Sequence, residues 1–167
     1  MLSKLLPSIM GWLVVIIILA LSPTIVTYNT QVATNVAAAN QSAYMIGMTA
    51  IQPFGGFIMI MGLLISGGFF AVAGMRNRNT TVKDMIEVIG AVILTVVTLA
   101  LFSGTVINYI NLLICAGTAN SFERTAYGIL AVICYVGIIG AASAFTAVKA
   151  WKSSKGKKAK ASSGGFY

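Results

Sequence analysis

Residues 9–27 read IMGWLVVIIILALSPTIVT. The stretch carries no charge and shows none of the strict apolar–polar alternation of a half-buried strand. A membrane helix needs roughly 20 mostly apolar residues to cross about 30 Å of hydrocarbon, and this run has that length. Three further segments meet the same test, from about Phe54 to Met75, from about Ile86 to Ala116 and from about Ala126 to Ala150. They are too long for single strands, and an open sheet edge is not tolerated in lipid. The expected fold is therefore all-α, with four hydrophobic membrane-type helices arranged as two helical hairpins. Residues 1–79 make the first hairpin, residues 80–152 the second, and residues 153–167 a basic flexible tail.

Composition agrees. Hydrophobic residues make up 58% of the chain and charged residues 8%, with a mean hydropathy of +0.93. Ordinary globular chains carry about 25% charged residues, because water must solvate most of their surface. No charge occurs between Lys4 and Arg76, from Val88 to Phe122, or from Thr125 to Val148. Such a surface needs lipid as its solvent.

The basic residues orient the helices. Lys4, Arg76, Arg78, Lys83 and the six lysines from Lys149 to Lys160 fall on one side of the expected topology, and Arg124 alone on the other. Positive loops stay on the cytoplasmic side, so both termini are expected inside. The first 25 residues also fit the plan of a secretory signal, with Lys4 followed by an apolar run. No small-x-small cleavage site follows Leu21 promptly, so helix one is expected to be retained.

One phrase occurs twice. LALSPTIVTYN at 19–29 answers LALFSGTVINY at 99–109. With one inserted residue, Ser22, Thr24, Ile25, Val26 and Tyr28 face Ser103, Thr105, Val106, Ile107 and Tyr109. Each half then reads as an apolar helix, a Ser-x-Thr exit, an uncharged connection, a glycine-rich helix and a basic end. Tandem duplication explains the order of elements. Convergence remains the alternative, since Ser, Thr and Tyr recur where helices leave a membrane.

In these residues the chain resembles the major capsid proteins of spindle-shaped archaeal viruses, the fusellovirus-like group. Leu21-Ser22-Pro23-Thr24-Ile25-Val26, followed by Tyr28-Asn29-Thr30-Gln31-Val32, looks like the exit of that family's first helix. The likeness covers about residues 10–79 well and residues 86–152 less well, where Gly104 stands in place of the proline. It implies a lipid-containing virion whose hairpin subunits pack laterally into a shell, with copies of this chain and membrane lipid as partners. The family's common form is a single hairpin, whereas this chain would be a fused pair. Two other classes remain open: a conjugative-type pilin or secretion-channel subunit, and a holin-like membrane protein.

Gly67 and Ala71, Gly137 and Ala141, and Gly140 and Ala144 each sit four apart, placing small side chains on one helix face where another helix can approach. The partner is expected to be either another subunit or a helix of the same chain. The connection from Tyr28 to Gln52 is rich in amides and hydroxyls, among them Asn29, Gln31, Thr34, Asn35, Asn40, Gln41 and Ser42. It is expected to line an outer surface, with helix continuing past the membrane boundary. Asn40-Gln41-Ser42 fits a glycosylation acceptor.

The tail KAWKSSKGKKAKASSGGFY requires an anionic partner for Lys149, Lys152, Lys155, Lys157, Lys158 and Lys160. Acidic headgroups attract such residues with about 1 kcal/mol each. Packaged viral DNA, contacted through phosphates without sequence reading, is the other candidate.

Chemistry-bearing groups are scarce. The chain has no histidine, its acids are Asp84, Glu87 and Glu123, and its cysteines, Cys115 and Cys134, lie in or near apolar runs, where they are expected as buried free thiols. Asp84 and Glu87 read as a solvated helix start. No catalytic set, metal site or cofactor is expected, and a structural protein rather than an enzyme is.

Overall fold

The computed structural model describes residues 2–38, 44–75, 82–116, 122–145, 147–148 and 151. Apart from Tyr44 and Met45, every one of them is helical. Helix α1 spans Leu2–Ala38 and α2 spans Ile46–Met75. A third rod is α3, Val82–Leu101, continued by a π turn at Phe102–Val106 and by α4, Ile107–Ala116. The fourth is α5, Phe122–Gly140, ending in a second π turn at Ala141–Phe145. Four stretches, Ile9–Ala37, Ile46–Val72, Met85–Ala116 and Phe122–Ala144, are long and apolar enough to cross a membrane.

The helices outrun the expected boundaries, because apolarity marks the hydrocarbon crossing and not the end of the helix. Thirty-seven residues make α1 about 55 Å long at 1.5 Å per residue. Its interior holds Pro23, which has no N–H to offer the Leu19 carbonyl four residues back. The hydroxyl of Ser22 donates to that carbonyl instead, at 2.8 Å. Thr27, Thr30 and Thr34 each donate to the carbonyl four residues earlier, at 2.9, 2.9 and 3.1 Å. Hydroxyls in this region are thus satisfied within their own helix, as lipid requires.

The residue inserted in the sequence comparison, Phe102, opens the π turn of the third rod. A π turn accommodates one extra residue in an otherwise α-helical register. Ser103 repeats the role of Ser22, donating to the Ala100 carbonyl three residues back at 3.0 Å.

Helices α1 and α2 form the tightest pair and run antiparallel, since Gly11 meets Ala71 near one end and Asn29 meets Gly56 near the other. A Cβ at position 11 would lie 2.5 Å from the Ala71 Cα and 2.9 Å from the Phe70 carbonyl oxygen. Only glycine permits backbones to approach so closely. The third rod packs beside α1 and runs with it, and α5 packs beside α2 and runs with it. The two hairpins therefore lie side by side, like next to like. Val14, Ile18, Ile25, Met59, Leu63, Leu99, Ile107 and Tyr135 fill the space between them.

Large apolar side chains also cover the outside, including Trp12, Ile16, Phe54, Phe57, Leu94, Leu112 and Ile133. Only 22% to 44% of each membrane-length stretch is buried within the chain. The remainder must meet lipid or other protein.

Replacing Gly11 by valine should therefore lower stability in detergent by about 1–3 kcal/mol, through overpacking against α2. Gly90, which has open space where a Cβ would stand, should accept alanine without loss. Reversible unfolding of the two variants checks the contrast.

Candidate functional site

Two sets of features decide what this bundle can do: the polar clamps that fix the hairpins to one another, and the faces left uncovered. The first clamp joins three helices. Asn29 of α1 is buried, and its Nδ2 donates to the Gln52 carbonyl of α2 at 3.2 Å, while Gln52 Nε2 donates to the Asn29 carbonyl at 2.9 Å. The hydroxyl of Tyr135, on α5, donates to Asn29 Oδ1. Tyr135 reaches this point because residue 55 is glycine, where any side chain would overlap the phenol hydroxyl. Its ring also stacks on Phe102, with centroids 5.7 Å apart, so the third rod is held as well.

The second clamp lies farther along α1. Asn35 Nδ2 donates to the Ser103 carbonyl within the π turn at 2.5 Å, and Asn111 Nδ2 donates to the Asn35 carbonyl at 3.1 Å. A carbonyl in a π turn is displaced from the regular ladder, which leaves it accessible to a neighbouring helix. Buried amide bonds of this kind fix register where hydrophobic attraction between helices is absent.

These clamps correct the expectation that the Tyr28–Gln52 connection lines an outer surface. Gln31 and Thr34 do face outward, but Asn29 is buried and Asn35 is half-buried at a helix interface. Asn29 turns toward α2 and α5, and Asn35, about 1.7 turns farther on, toward the third rod. Composition alone reads them as solvent-facing, and only the long continuation of α1 to Ala38 puts them between helices. Tyr135 and Asn111, polar groups inside apolar runs, were the available signal for this site.

The predicted packing residues divide. Gly67 and Ala71 are buried inside the chain, where a Cβ at 67 would sit 3.0 Å from Ile18 Cδ1 and Ala71 lies against Gly11. They join α2 to α1 and are unavailable to another subunit. Gly137, Gly140, Ala141 and Ala144 face outward on α5 and its π turn, and nothing within 4 Å would meet a Cβ at 137 or 140. Gly68 of α2 is likewise open.

The remaining expected groups are quickly placed. Cys115 and Cys134 form no disulfide, and neither is buried as expected, Cys115 being exposed and Cys134 half-buried. Glu87 is half-buried beside an apolar cleft rather than on a solvated helix start. Arg124 lies over the Tyr44 ring, 5.6 Å from its centroid, and ties the start of α5 to the turn before α2. Among the described residues no three His, Cys, Asp or Glu side chains gather into a metal set. Asn40 and the six tail lysines, Lys149, Lys152, Lys155, Lys157, Lys158 and Lys160, lie outside the described residues. No protein family, characterised protein or solved structure matches the chain.

If the first clamp holds the hairpins, Tyr135→Phe should cost about 0.6–1.7 kcal/mol, the range of single hydrogen bonds between membrane helices. Asn29→Leu should cost more, since it removes the bonds to both the Gln52 carbonyl and the Tyr135 hydroxyl. A double-mutant cycle on unfolding in micelles measures their coupling.

Proposed function

We propose that this chain is a structural subunit that assembles with copies of itself, sideways in lipid, into the shell of a virus particle. The observation that carries the reading is the order of the helices. A two-fold pairing of hairpins would bring α1 beside α5. Instead α1 lies beside the third rod and α2 beside α5, each pair running in the same direction. Such a head-to-tail relation does not close on itself, and its repetition generates rings or open polymers.

The uncovered small residues support continuation. Gly62 of α2 receives Ser143 of the second hairpin within the chain, and a Cβ there would lie 2.6 Å from the Ser143 hydroxyl. On α5 itself, the positions of Gly137 and Gly140 are open. The outer face of α5, with Gly137, Gly140 and Ala144, can thus receive the outer face of α2, with Gly68, from the next copy. The exposed apolar belt supplies the lipid contact. The chain acts in this reading without catalysis or cofactor.

The resemblance in Leu21–Val32 favours a spindle-shaped virion among lipid-associated polymers, and the basic tail then faces the packaged DNA. A pilin or secretion-channel polymer would use the same lateral contact, so the particles themselves discriminate. Electron microscopy and mass spectrometry of purified assemblies should find this chain as the major band of lipid-containing, spindle-like particles. Filaments bearing the same band would establish the pilin reading instead.

Replacing Gly137 and Ala144 together by leucine should abolish assembly while leaving single chains helical and folded in detergent, as seen by sedimentation and circular dichroism. Unchanged assembly would remove the α5 face from the account. For the tail, the full chain in micelles should retard DNA at low salt, losing affinity as salt rises with a slope of about −0.9 per phosphate contacted. Substituting glutamine for the six lysines should abolish the retardation. Binding that ignores salt would contradict the phosphate contact.

A further inference from the structure

A cleft of about 460 Å³ runs between α3 and the end of α5. Glu87, Ala91, Thr95 and Thr98 line one wall, and Ile138 and Ala142 the other. The two threonine hydroxyls do not make it polar. Thr95 donates to the Ala91 carbonyl at 2.8 Å and Thr98 to the Leu94 carbonyl at 2.7 Å, so both bonds stay within α3. Among the described residues that line it, Glu87 is the charged one.

Three features define an occupant. The cleft is many times the roughly 30 Å³ that one water takes in the liquid, and its apolar walls offer water few partners. It opens sideways on helices clad in exposed apolar residues, so the medium at its mouth is hydrocarbon. From Glu87 to Thr98 it follows α3 for about 16 Å, which is half the thickness of a bilayer core. That is the depth of one leaflet, and Glu87 stands at its outer end, two residues inside the start of the membrane-length stretch at Met85.

We propose that this cleft is a lipid site, taking one acyl chain of the leaflet on the basic side and selecting a headgroup that carries both an ammonium and a phosphate. The chain fills the apolar walls, replacing dispersion contacts that an empty groove forfeits. The Glu87 carboxylate accepts hydrogen bonds from the ammonium. Lys83, exposed one helical turn earlier on the same face, meets the phosphate. The pair of opposite charges complements a zwitterionic amine lipid and disfavours a purely anionic one. This inference rests on the placement of the chain in lipid and not on its polymerisation.

The test uses the full chain, reconstituted in vesicles of equal parts phosphatidylethanolamine and phosphatidylglycerol, extracted in mild detergent and examined by native mass spectrometry. Unassembled chains should retain one lipid each, enriched about tenfold in the ethanolamine form, the ratio that a 1.4 kcal/mol preference produces. Ala91→Phe, which fills the groove, should lose the bound lipid while circular dichroism and oligomeric mass stay unchanged, and Thr98→Phe should do the same from the deep end. Glu87→Gln should keep a lipid but return the headgroup ratio to that of the vesicle. Retention of both lipids in equal amount by the unaltered chain overturns the headgroup assignment, whether or not any variant folds. Undiminished lipid on the phenylalanine variants overturns the site. A change of oligomeric mass in Ala91→Phe overturns it in favour of a second copy seated in the cleft. Failure of lateral assembly with lipid retained would count against the proposed function alone.

Discussion

Every helix of this protein is apolar on the outside as well as the inside, and that constraint governs the rest of the structure. In water, helices adhere because burial removes apolar surface from solvent. In lipid that force between helices vanishes, since the tails are as apolar as leucine. What remains is backbone proximity and a small number of buried hydrogen bonds. The structure uses both: Gly11 against Ala71, Gly55 against Tyr135, and the Asn29–Gln52 and Asn35–Ser103–Asn111 clamps. Among the described residues, Lys4, Lys83, Glu123 and Arg124 lie in the first turns of their helices, and Glu87 lies farther in, beside a cleft.

The same constraint underlies the proposed polymerisation of the hairpins. A bundle that buried all its small residues would have no close-approach surface left. Here the glycines divide between the two uses. Gly11, Gly55, Gly62 and Gly67 serve contacts within the chain, while Gly68, Gly137 and Gly140 stand open. The side-by-side order of like helices supplies the direction in which a further hairpin would add. A fused pair then carries one copy of the lateral contact covalently, and this lowers the entropy lost on assembly.

Much of this was legible in the letters. Four spans followed from length and the absence of charge, while the one-residue insertion between the two like phrases found its meaning only in the π turn that opens at Phe102. Two kinds of feature were not legible. Helix past the membrane boundary was expected, but not its full reach to Ala38 and back to Ile46, which holds because neighbouring rods satisfy the amides of that uncharged polar sequence. The division of the glycines into inward and outward sets depends on which rod stands beside which, and that order is a tertiary fact. Asn29 and Asn35 looked like surface residues for the same reason, since an amide carries no mark of whether its partner will be water or a helix across the way.

The central claim is that lipid is this protein's solvent, and fractionation tests it directly. Membranes carrying the chain should retain it after washing in alkaline carbonate, and the chain should aggregate when detergent is withdrawn. A folded, helical and monodisperse chain in detergent-free buffer would show that its apolar belt closes on itself, and would contradict the account from the helices outward.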